Sequence, residues 1–496
     1  MILLTLLLIP LIGGLIAWYS ERIDPNLPRK VALVSLLLCC LPLITFLDAF
    51  TVEQMANKWL VDEPLQWIPR LNITAHFAMD GLSYLLVLLT VVMGLVALSS
   101  AWTEIKKRTG FFYLNLLWTL AGVMGVFLAM DLFLFFVFWE VMLVPMYFLI
   151  AIWGYENRQY AAFKFFMFTQ AGGLLMLLSL AALVIIHYQQ TGILSFDYMV
   201  LIKNPISGDL AYWTAVGFTV AFLVKLPALP FHSWLPDAHT QAPTAASVIL
   251  AAILLKTGGY GLIRFVLPLF PEASVAMAPI MMSIAVVGIV YGAMMAFVQQ
   301  DLKRLIAYSS VSHMGFVLLG CFAFNIYAIQ GAVMQMLAHG ISTSALFVLV
   351  GMIQHRFHTR ELDKLGGLWQ QVPRLSAIGV FFGVASLGMP GLGNFVAEFL
   401  VLIGSFERYP WYTVIAASGL ILAAIYSLLI IYKTFFGPKS AQRSVKEAPV
   451  IADTNTREAT TLLVMVFLLV VMGLHPQPLL DMVQNNLLQT IARSVS

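Results

Sequence analysis

A lysine and three prolines lie together in one long apolar segment, which reads Leu223-Val-Lys-Leu-Pro-Ala-Leu-Pro-Phe-His-Ser-Trp-Leu-Pro236. A second apolar segment contains Gly388-Met-Pro-Gly-Leu-Gly-Asn-Phe-Val-Ala-Glu398. Proline removes a backbone donor and clashes with the preceding helical turn, and glycine loosens a helix. Both segments are therefore predicted to unwind near the middle of a membrane. Unwound backbone is tolerated at that depth only against protein or water.

The composition places these segments in a membrane protein. Of the 496 residues, 61% are apolar and only 10% are charged, and the mean hydropathy is +0.91. A soluble domain carries about a quarter charged residues. A soluble enzyme, a disordered regulator and a nucleic-acid-binding module are thereby excluded, and a net charge of +3 does not indicate a polyanionic partner. The three cysteines, Cys39, Cys40 and Cys321, form no CxxC pattern, so no disulfide framework, zinc site or iron–sulfur site is predicted.

Apolar segments long enough to cross about 30 Å of hydrocarbon recur along the whole chain. We place fourteen spans at 2–19, 31–50, 79–101, 111–130, 132–153, 161–188, 210–231, 243–267, 275–300, 302–323, 327–353, 375–406, 411–436 and 459–484. The longest polar loops are at 51–78, 189–209, 354–374 and 437–458. Eighteen Lys and Arg residues belong to the loops after odd-numbered spans, and six belong to the other side. The positive-inside rule then predicts that both termini are periplasmic.

A short internal repeat indicates how the spans are organised. The pattern Phe-x-x-x-Asp-Leu occurs at Phe127–Leu132 and again at Phe297–Leu302. The copies lie at spans 4 and 9, so the repeat unit has five helices, and an odd number inserts the second copy upside down. The prolines Pro230 and Pro390 have a different offset, which leaves the residue-level equivalence open. We predict an all-α polytopic fold of about fourteen transmembrane helices with two inverted five-helix repeats, broken in spans 7 and 12. Its parts are 1–110 (spans 1–3), 111–267 (first repeat), 275–436 (second repeat) and 437–496 (a loop and span 14).

Six ionisable side chains lie well inside predicted spans, where each costs several kcal/mol unless it has a partner or water. They are Glu140, Lys225, Lys256, His313, His339 and Glu398. Lys164 lies near the end of its span and is interpreted as reaching toward the surface. At the end of span 7, His232, Asp237 and His239 cluster. A hydrogen-bonded cap or a site of proton uptake is favoured there over a metal site.

Glu140 is either a structural carboxylate bonded to a neighbouring helix or the counter-ion of a buried lysine. Lys225 and Lys256 together need at least one nearby anion. At 4 Å and an effective dielectric near 20, such a pair is worth roughly 4 kcal/mol, about three pKa units. Moving the carboxylate away would therefore turn a lysine that holds a proton into a proton donor. His313 and His339 are either satisfied core residues or, given their small and hydroxylated neighbours, groups with room for water between them.

Three segments give the chain a family resemblance. With Asp131–Tyr147, Leu223–Ala246 and Asp301–Gly315, it resembles the M-type antiporter-like membrane subunits of proton-pumping NADH:quinone oxidoreductase, respiratory complex I. Gly388–Phe395 followed by Glu398 is similar to the M type, because the L and N types and the Mrp antiporter subunits typically place a lysine at that point.

The resemblance implies a role for each buried group. Glu140 and Lys225 would be a modulating ion pair and Lys256 a relay lysine, His313 and His339 would continue the path, and Glu398 would be the terminal proton carrier. It also implies other complex I membrane subunits as partners, especially the L- and N-type chains, with membrane lipid around them. The chain would lie in a bacterial inner membrane.

Redox chemistry is expected in other subunits. This sequence has no GxGxxG between a strand and a helix, no P-loop and no iron–sulfur pattern, so we expect no cofactor in this chain. The resemblance puts FMN, iron–sulfur clusters and quinone in partner subunits. No nucleic acid is expected to bind.

The main alternative is an Mrp-type sodium/proton antiporter subunit, which shares the fold and most of the buried charges. Glu398 in place of lysine argues against it. A purely structural spacer is a third reading, but a spacer has no use for six costly buried charges.

Overall fold

The computed structural model describes residues 1–46, 59–438 and 451–495, and these ranges are almost entirely helical. Eleven helices in the described ranges are long and apolar enough to cross a membrane. They are Ile2–Ser20, Leu27–Thr45, Gly81–Glu104, Thr109–Leu128, Leu132–Trp153, Arg158–Thr191, Thr244–Leu269, Pro271–Phe297, Ile326–Phe357, Pro410–Phe436 and Thr456–Leu474. Span 10 is the more polar helix Leu302–Cys321, and spans 7 and 12 are each made of two shorter helices. This arrangement agrees with the predicted fourteen spans.

Spans 7 and 12 are broken where proline and glycine predict it. Span 7 consists of Asp209–Lys225 and Trp234–Gln241, and span 12 consists of Pro373–Ser386 and Gly393–Phe406. The break in span 12 contains Gly388 and Gly391, with φ of +79° and +91°. Only glycine adopts this left-handed region without steric cost, so the break depends on these residues.

Span 8 carries an irregularity that the sequence does not predict. Two wider π-helical segments, Leu250–Leu254 and Leu262–Val266, flank the regular helix Leu255–Gly261. Lys256 lies in that central part. π-Helical turns are rare and are found frequently at functional sites.

The two copies of the Phe-x-x-x-Asp-Leu pattern make the same structure. Asp131 caps span 5 and Asp301 caps span 10, each through its side chain. In the first copy the N–H of Leu132 donates to the carbonyl oxygen of Phe196 at 2.9 Å. In the second copy, the N–H of Leu302 donates to the carbonyl oxygen of Arg360 at 3.0 Å. This shared backbone pairing aligns the two halves at Asp131 and Asp301, whereas the different offset of the prolines leaves the alignment of spans 7 and 12 open. The division of the chain into four parts stays a prediction.

Two elements outside the spans correct the sequence interpretation. The predicted loop 51–78 contains the antiparallel hairpin of β1 (Val61–Ile68) and β2 (Ile73–Met79). Span 14 ends at Leu474 instead of residue 484, because Pro476 cannot continue the helix, and a separate helix Gln477–Val495 follows. That helix packs against spans 3, 8, 9 and 11. Residues 51–58 and 439–450 of the predicted loops, and the predicted end of span 2 at residue 50, lie outside the described residues.

Candidate functional site

The six predicted residues form two clusters. The first holds Glu140 and Lys225. Lys225 is the last residue of the first helix of span 7 and is fully buried. Its Nζ lies 5.2 Å from the ring centroid of Trp139 and 5.5 Å from that of Phe165. Within the described residues this Nζ has no hydrogen-bond partner. Aromatic faces therefore replace part of the lost hydration of the ammonium.

Glu140 is only half-buried, which differs from the full burial expected from its position in span 5. Its Oε1 packs against Gly173, where an added Cβ would lie 2.6 Å from that oxygen. Oε1 makes no hydrogen bond among the described residues. Lys225 and Glu140 therefore act on each other through their charges, without a closed hydrogen-bonded ion pair. The half-buried position places the carboxylate near the outer surface of the chain.

The second cluster is a chain of four contacting side chains. Nζ of Lys256 lies 2.8 Å from Nδ1 of His339, and it also donates to the carbonyl oxygen of Ala251. The rings of His339 and His313 follow, with centroids 5.5 Å apart. Nδ1 of His313 lies 2.8 Å from Oε1 of Glu398. All four ionisable side chains are at most 2% exposed.

Two residues that the sequence analysis missed complete this chain. Nε2 of Gln335 donates to Oε1 of Glu398 at 3.0 Å, and it lies 3.2 Å from Nδ1 of His313. The hydroxyl of Tyr426 lies 3.0 Å from Nε2 of His313. Gln335 precedes His339 by four residues and so shares its helix face, a signal that the sequence contained. Tyr426 is one aromatic residue in an apolar span and carried no such signal.

Glu398 lies beside the break in span 12. Its Oε2 has no hydrogen-bond partner among the described residues, and an added Cβ on Gly388 would lie 3.2 Å from it. One carboxylate oxygen is thus held by donors while the other faces the unwound backbone. This arrangement leaves Oε2 free to accept or release a proton.

Spans 7 and 8 approach closely between the two clusters. An added Cβ on Gly258 would lie 2.6 Å from the carbonyl oxygen of Phe222 and 2.8 Å from the backbone nitrogen of Leu226. Gly258 therefore allows the helix of Lys256 to lie directly against the start of the break that follows Lys225. Backbone packing joins the clusters here, whereas side-chain contacts join the members of the second cluster.

Several further charges are buried at the ends of spans. Arg264, assigned to a loop side by the charge count, is 5% exposed and pairs with Asp80. Lys303 is fully buried and donates to the carbonyl oxygen of Ala242 at 2.7 Å. The interpretation of Lys164 as reaching to the surface is replaced by an ion pair with Asp237 at 2.7 Å.

These contacts can transfer protons, because amine, imidazole and carboxylate groups each bind and release one proton.

Comparison with known proteins identifies the family. Residues 129–425 match the family model described as NADH:quinone oxidoreductase/Mrp antiporter, TM. The chain is 51% identical over 493 residues to NADH-quinone oxidoreductase subunit M of Pseudomonas aeruginosa, covering 97% of this chain and 96% of that protein. It is 51% identical over 490 residues to the subunit of the same name from Escherichia coli K12, with the same coverage.

The fold is similar to that of a solved structure. A chain of respiratory complex I from Thermus thermophilus with bound NADH superimposes with a TM-score of 0.86 at 28% identity, covering 99% of this chain and 100% of that chain. On the family match and on full-length identity to M subunits, this chain belongs to the NADH:quinone oxidoreductase/Mrp antiporter family of membrane proteins.

Proposed function

We propose that this chain is the M-type proton-translocating membrane subunit of a NADH:quinone oxidoreductase. The observation that carries the proposal is the buried chain from Lys256 through His339 and His313 to Glu398. A structural subunit gains nothing from four ionisable groups aligned in this way, since each costs free energy in a membrane. Full-length identity of 51% to proteins named subunit M supports the same assignment.

In this proposal the second cluster holds and passes the proton. Lys256 releases a proton to Nδ1 of His339, and the proton leaves from the opposite nitrogen toward His313. His313 delivers it to the carboxylate of Glu398, which lies in direct contact. Each acceptor is neutral or anionic before it receives the proton. The donor and the acceptor of a step are therefore never both positively charged.

The first cluster controls the second. Glu140 is the anion that acts on Lys225, and the Nζ of Lys225 makes no hydrogen bond to it within the described residues. Motion that brings them closer stabilises the charged lysine, and motion that separates them favours release of its proton. Because span 7 lies against span 8 at Gly258, a change at Lys225 is felt at the helix of Lys256.

The partners and location follow from the same proposal. The chain assembles with other membrane subunits, the L- and N-type chains foremost, in a bacterial inner membrane with both termini periplasmic. Electron transfer through FMN, iron–sulfur clusters and quinone belongs to partner subunits, and this chain binds none of them. The half-buried Glu140 supports an assembly in which a neighbouring chain covers that carboxylate.

An Mrp-type antiporter is the second candidate, because one family model covers both groups. Glu398 separates them on charge. A carboxylate becomes anionic when it releases its proton, whereas a lysine becomes neutral, so the two residues impose opposite fields on the unwound backbone near Gly388. Oε1 of Glu398 is contacted by Nδ1 of His313 and accepts a hydrogen bond from Nε2 of Gln335, an environment that suits a carboxylate.

The test is the Lys256→Met variant in membranes that contain the assembled complex, with Lys203→Met in an exposed loop as the control. We expect NADH-driven proton translocation to fall by about tenfold or more, because an essential proton carrier is lost. The control should pump normally. Normal pumping by assembled Lys256→Met would contradict the proposal. Sodium/proton exchange by this chain without any electron donor would favour the antiporter instead.

A further inference from the structure

Two cavities flank the first turn of span 2 on the side that carries the basic loops. The first is a pocket of about 480 Å³ among the start of span 2, the end of span 3 and the start of span 4, and Arg29, Lys106 and Tyr113 help to line it. The second is a groove of about 580 Å³ between spans 1 and 2, with Lys30 in its lining. None of the residues that line either cavity belongs to the two clusters of the candidate site. Neither cavity is therefore part of the proton path proposed above.

Two guanidinium groups converge on the last turn of span 3, at the wall of the pocket. Nη1 of Arg29 donates to the carbonyl oxygen of Trp102 at 3.2 Å, and its Cζ lies 4.9 Å from the ring centroid of Trp102. Nη2 of Arg457, at the start of span 14, donates to the hydroxyl of Thr103 at 3.2 Å. Nε of each arginine has no hydrogen-bond partner among the described residues. Each guanidinium thus carries more donors than the protein uses here.

The cations of the pocket lack a counter-ion among the described residues. Three of them form no ion pair in that part of the chain, namely Arg29, Lys106 and Arg457. The carboxylates nearby have other hydrogen-bond partners: Glu21 has the hydroxyl of Thr109, Asp24 the backbone N–H of Asn26, Glu104 the backbone N–H of Thr244 and Glu458 the guanidinium of Arg356. The like charges of Arg29 and Arg457 act on each other. An anion bound in the pocket would relieve that repulsion.

The pocket lies at the depth of the lipid headgroups, because spans 2, 3, 4 and 14 all begin or end beside it. Trp102 lies two residues before the end of span 3, and Trp is enriched at the membrane–water interface. A guanidinium matches the geometry of a phosphate with two parallel hydrogen bonds. Basic pockets between transmembrane helices on the cytoplasmic side bind anionic lipid headgroups. The phosphate of an anionic phospholipid therefore fits this pocket.

The groove provides a place for an acyl chain of the same lipid. Apart from Lys30, its lining is mainly apolar and includes Ile12, Ile16, Val34 and Leu38. Val34 and Leu38 are exposed on the surface of the chain. From Lys30 to Leu38 the groove follows span 2 for about 12 Å, close to the depth of one hydrocarbon leaflet, which is about 15 Å. A basic residue at the headgroup end and apolar residues below it match the two parts of a phospholipid.

We propose that this chain binds one anionic phospholipid of the cytoplasmic leaflet at these two cavities. Its phosphate lies at the first turn of span 2, held by Arg29 and Lys106, and one acyl chain lies in the groove with Lys30 at its mouth. The lipid thereby links spans 1 and 2 to the ends of spans 3 and 4. The inference goes beyond the proposed function and holds whether or not the buried chain of ionisable residues moves protons.

The experiment uses the assembled complex in detergent and a phosphatidylglycerol that carries a photoreactive diazirine in its acyl chain. Mass spectrometry of peptides from this chain locates the crosslinked residues. We expect crosslinks in spans 1 and 2 at groove residues such as Ile12 and Val34. Unlabelled phosphatidylglycerol should reduce the crosslink yield, whereas phosphatidylcholine, which has no net charge, and inorganic phosphate at the same concentration should not.

Two neighbouring lysines provide a matched pair of variants. Lys106 lines the pocket, whereas Lys107 is exposed in the same loop and does not line it. At a lipid concentration below saturation, Lys106→Gln and Arg29→Gln should each lower the crosslink yield by about fivefold, and Lys107→Gln should leave it unchanged. Because Lys106 is itself exposed, its loss should not impair folding, and the amount of complex recovered checks assembly.

Four outcomes would overturn the inference. The first is the absence of crosslinks from the groove, and the second is equal competition by phosphatidylcholine, which would indicate an acyl-chain site without charge recognition. Competition by inorganic phosphate equal to that by phosphatidylglycerol would indicate a site for a soluble anion. An equal effect of Lys106→Gln and Lys107→Gln would show that the general charge of the loop, and not the pocket, attracts the lipid.

Discussion

Nδ1 of His313 lies 2.8 Å from Oε1 of Glu398, and this oxygen also accepts a hydrogen bond from Gln335, while Oε2 of the same carboxylate accepts none from the residues that the structure describes. The carboxylate is therefore asymmetric. The unpartnered oxygen beside Gly388 is where a proton can bind without breaking those bonds.

Substitutions of Glu398 should rank by proton chemistry. Gln preserves the shape but cannot exchange a proton on the required timescale, so we expect proton translocation to fall by about tenfold or more. Asp keeps the carboxylate and shortens the side chain by one methylene, a gap that water bridges, so it should retain part of the activity. Lys, the residue of related subunit types, should be as harmful as Gln because it places a cation against Nδ1 of His313.

The measurement is the proton-to-electron ratio in vesicles, with assembly checked by the amount of complex recovered. Full pumping by the Gln variant would remove Glu398 from the path and leave it as a structural partner of His313.

Glu140→Gln should impair pumping without preventing assembly. Glu140 makes no hydrogen bond to Lys225, so its effect on Lys225 is Coulombic. Loss of that charge leaves Lys225 less able to hold a proton. Glu140→Asp keeps the charge and should pump far better than Gln. Equal pumping by the two variants would show that the charge of Glu140 is not what acts on Lys225.

The attachment of the β1–β2 hairpin should weaken as the pH rises. His76 is 5% exposed, with Nδ1 2.5 Å from Asp197 and Nε2 2.5 Å from Asp62. Burial alone lowers its pKa, but the bonds to the two carboxylates outweigh burial and raise the pKa of His76 above its usual value. A raised pKa stabilises the folded state below the unfolded value of about 6.5, and this contribution is lost as the pH rises through the folded pKa.

Hydrogen exchange of the hairpin, corrected for the intrinsic effect of pH, measures this linkage. Protection in the wild type should decline as the pH rises above about 6.5 and passes through the raised pKa of His76, and His76→Gln should abolish the decline. Asp197→Asn should weaken protection more than Asp62→Asn, because the Asp197 side chain is 16% exposed and that of Asp62 is 47% exposed. A wild-type profile in His76→Gln would assign the pH dependence to another group.

The orientation of the chain can be tested at two exposed loop lysines. Lys107 follows span 3 and Lys203 follows span 6, so fourteen alternating spans place them on opposite sides. Lys107→Cys should react with a membrane-impermeant thiol reagent only from the cytoplasmic side, and Lys203→Cys only from the periplasmic side. Labelling of both from one side would contradict the topology.

The sequence predicted the features that depend on single residues with strong backbone or charge preferences. Proline and glycine located the breaks of spans 7 and 12, and the cost of buried charge singled out Lys256 and Glu398. Arg264 and Lys303 were assigned to loops, although both are buried. Sequence places the end of a span only to within a few residues, so it cannot decide whether a charged residue near that end is buried.

Other features arise only from tertiary packing. The π-helical segments of span 8 have no composition that marks them, because their Leu, Ile and Ala residues are equally compatible with an ordinary α-helix. The hairpin was hidden in a loop that has no tight-turn dipeptide; its turn instead uses Asn72 at a φ of 53°. Tyr426 could be related to His313 only once spans 10 and 13 were seen together.

The bond from Nζ of Lys256 to Ala251 joins a titrating group to the backbone of its own helix. The acceptor carbonyl belongs to the π-helical segment Leu250–Leu254. A charged donor contributes roughly 1.5–3 kcal/mol to a hydrogen bond and a neutral one about 1 kcal/mol, so release of the proton weakens the bond by about 1 kcal/mol. Proton occupancy and helical winding are therefore thermodynamically linked in span 8. Any force that rewinds this wider turn lowers the affinity of Lys256 for its proton, and each proton that leaves favours rewinding by the same free energy.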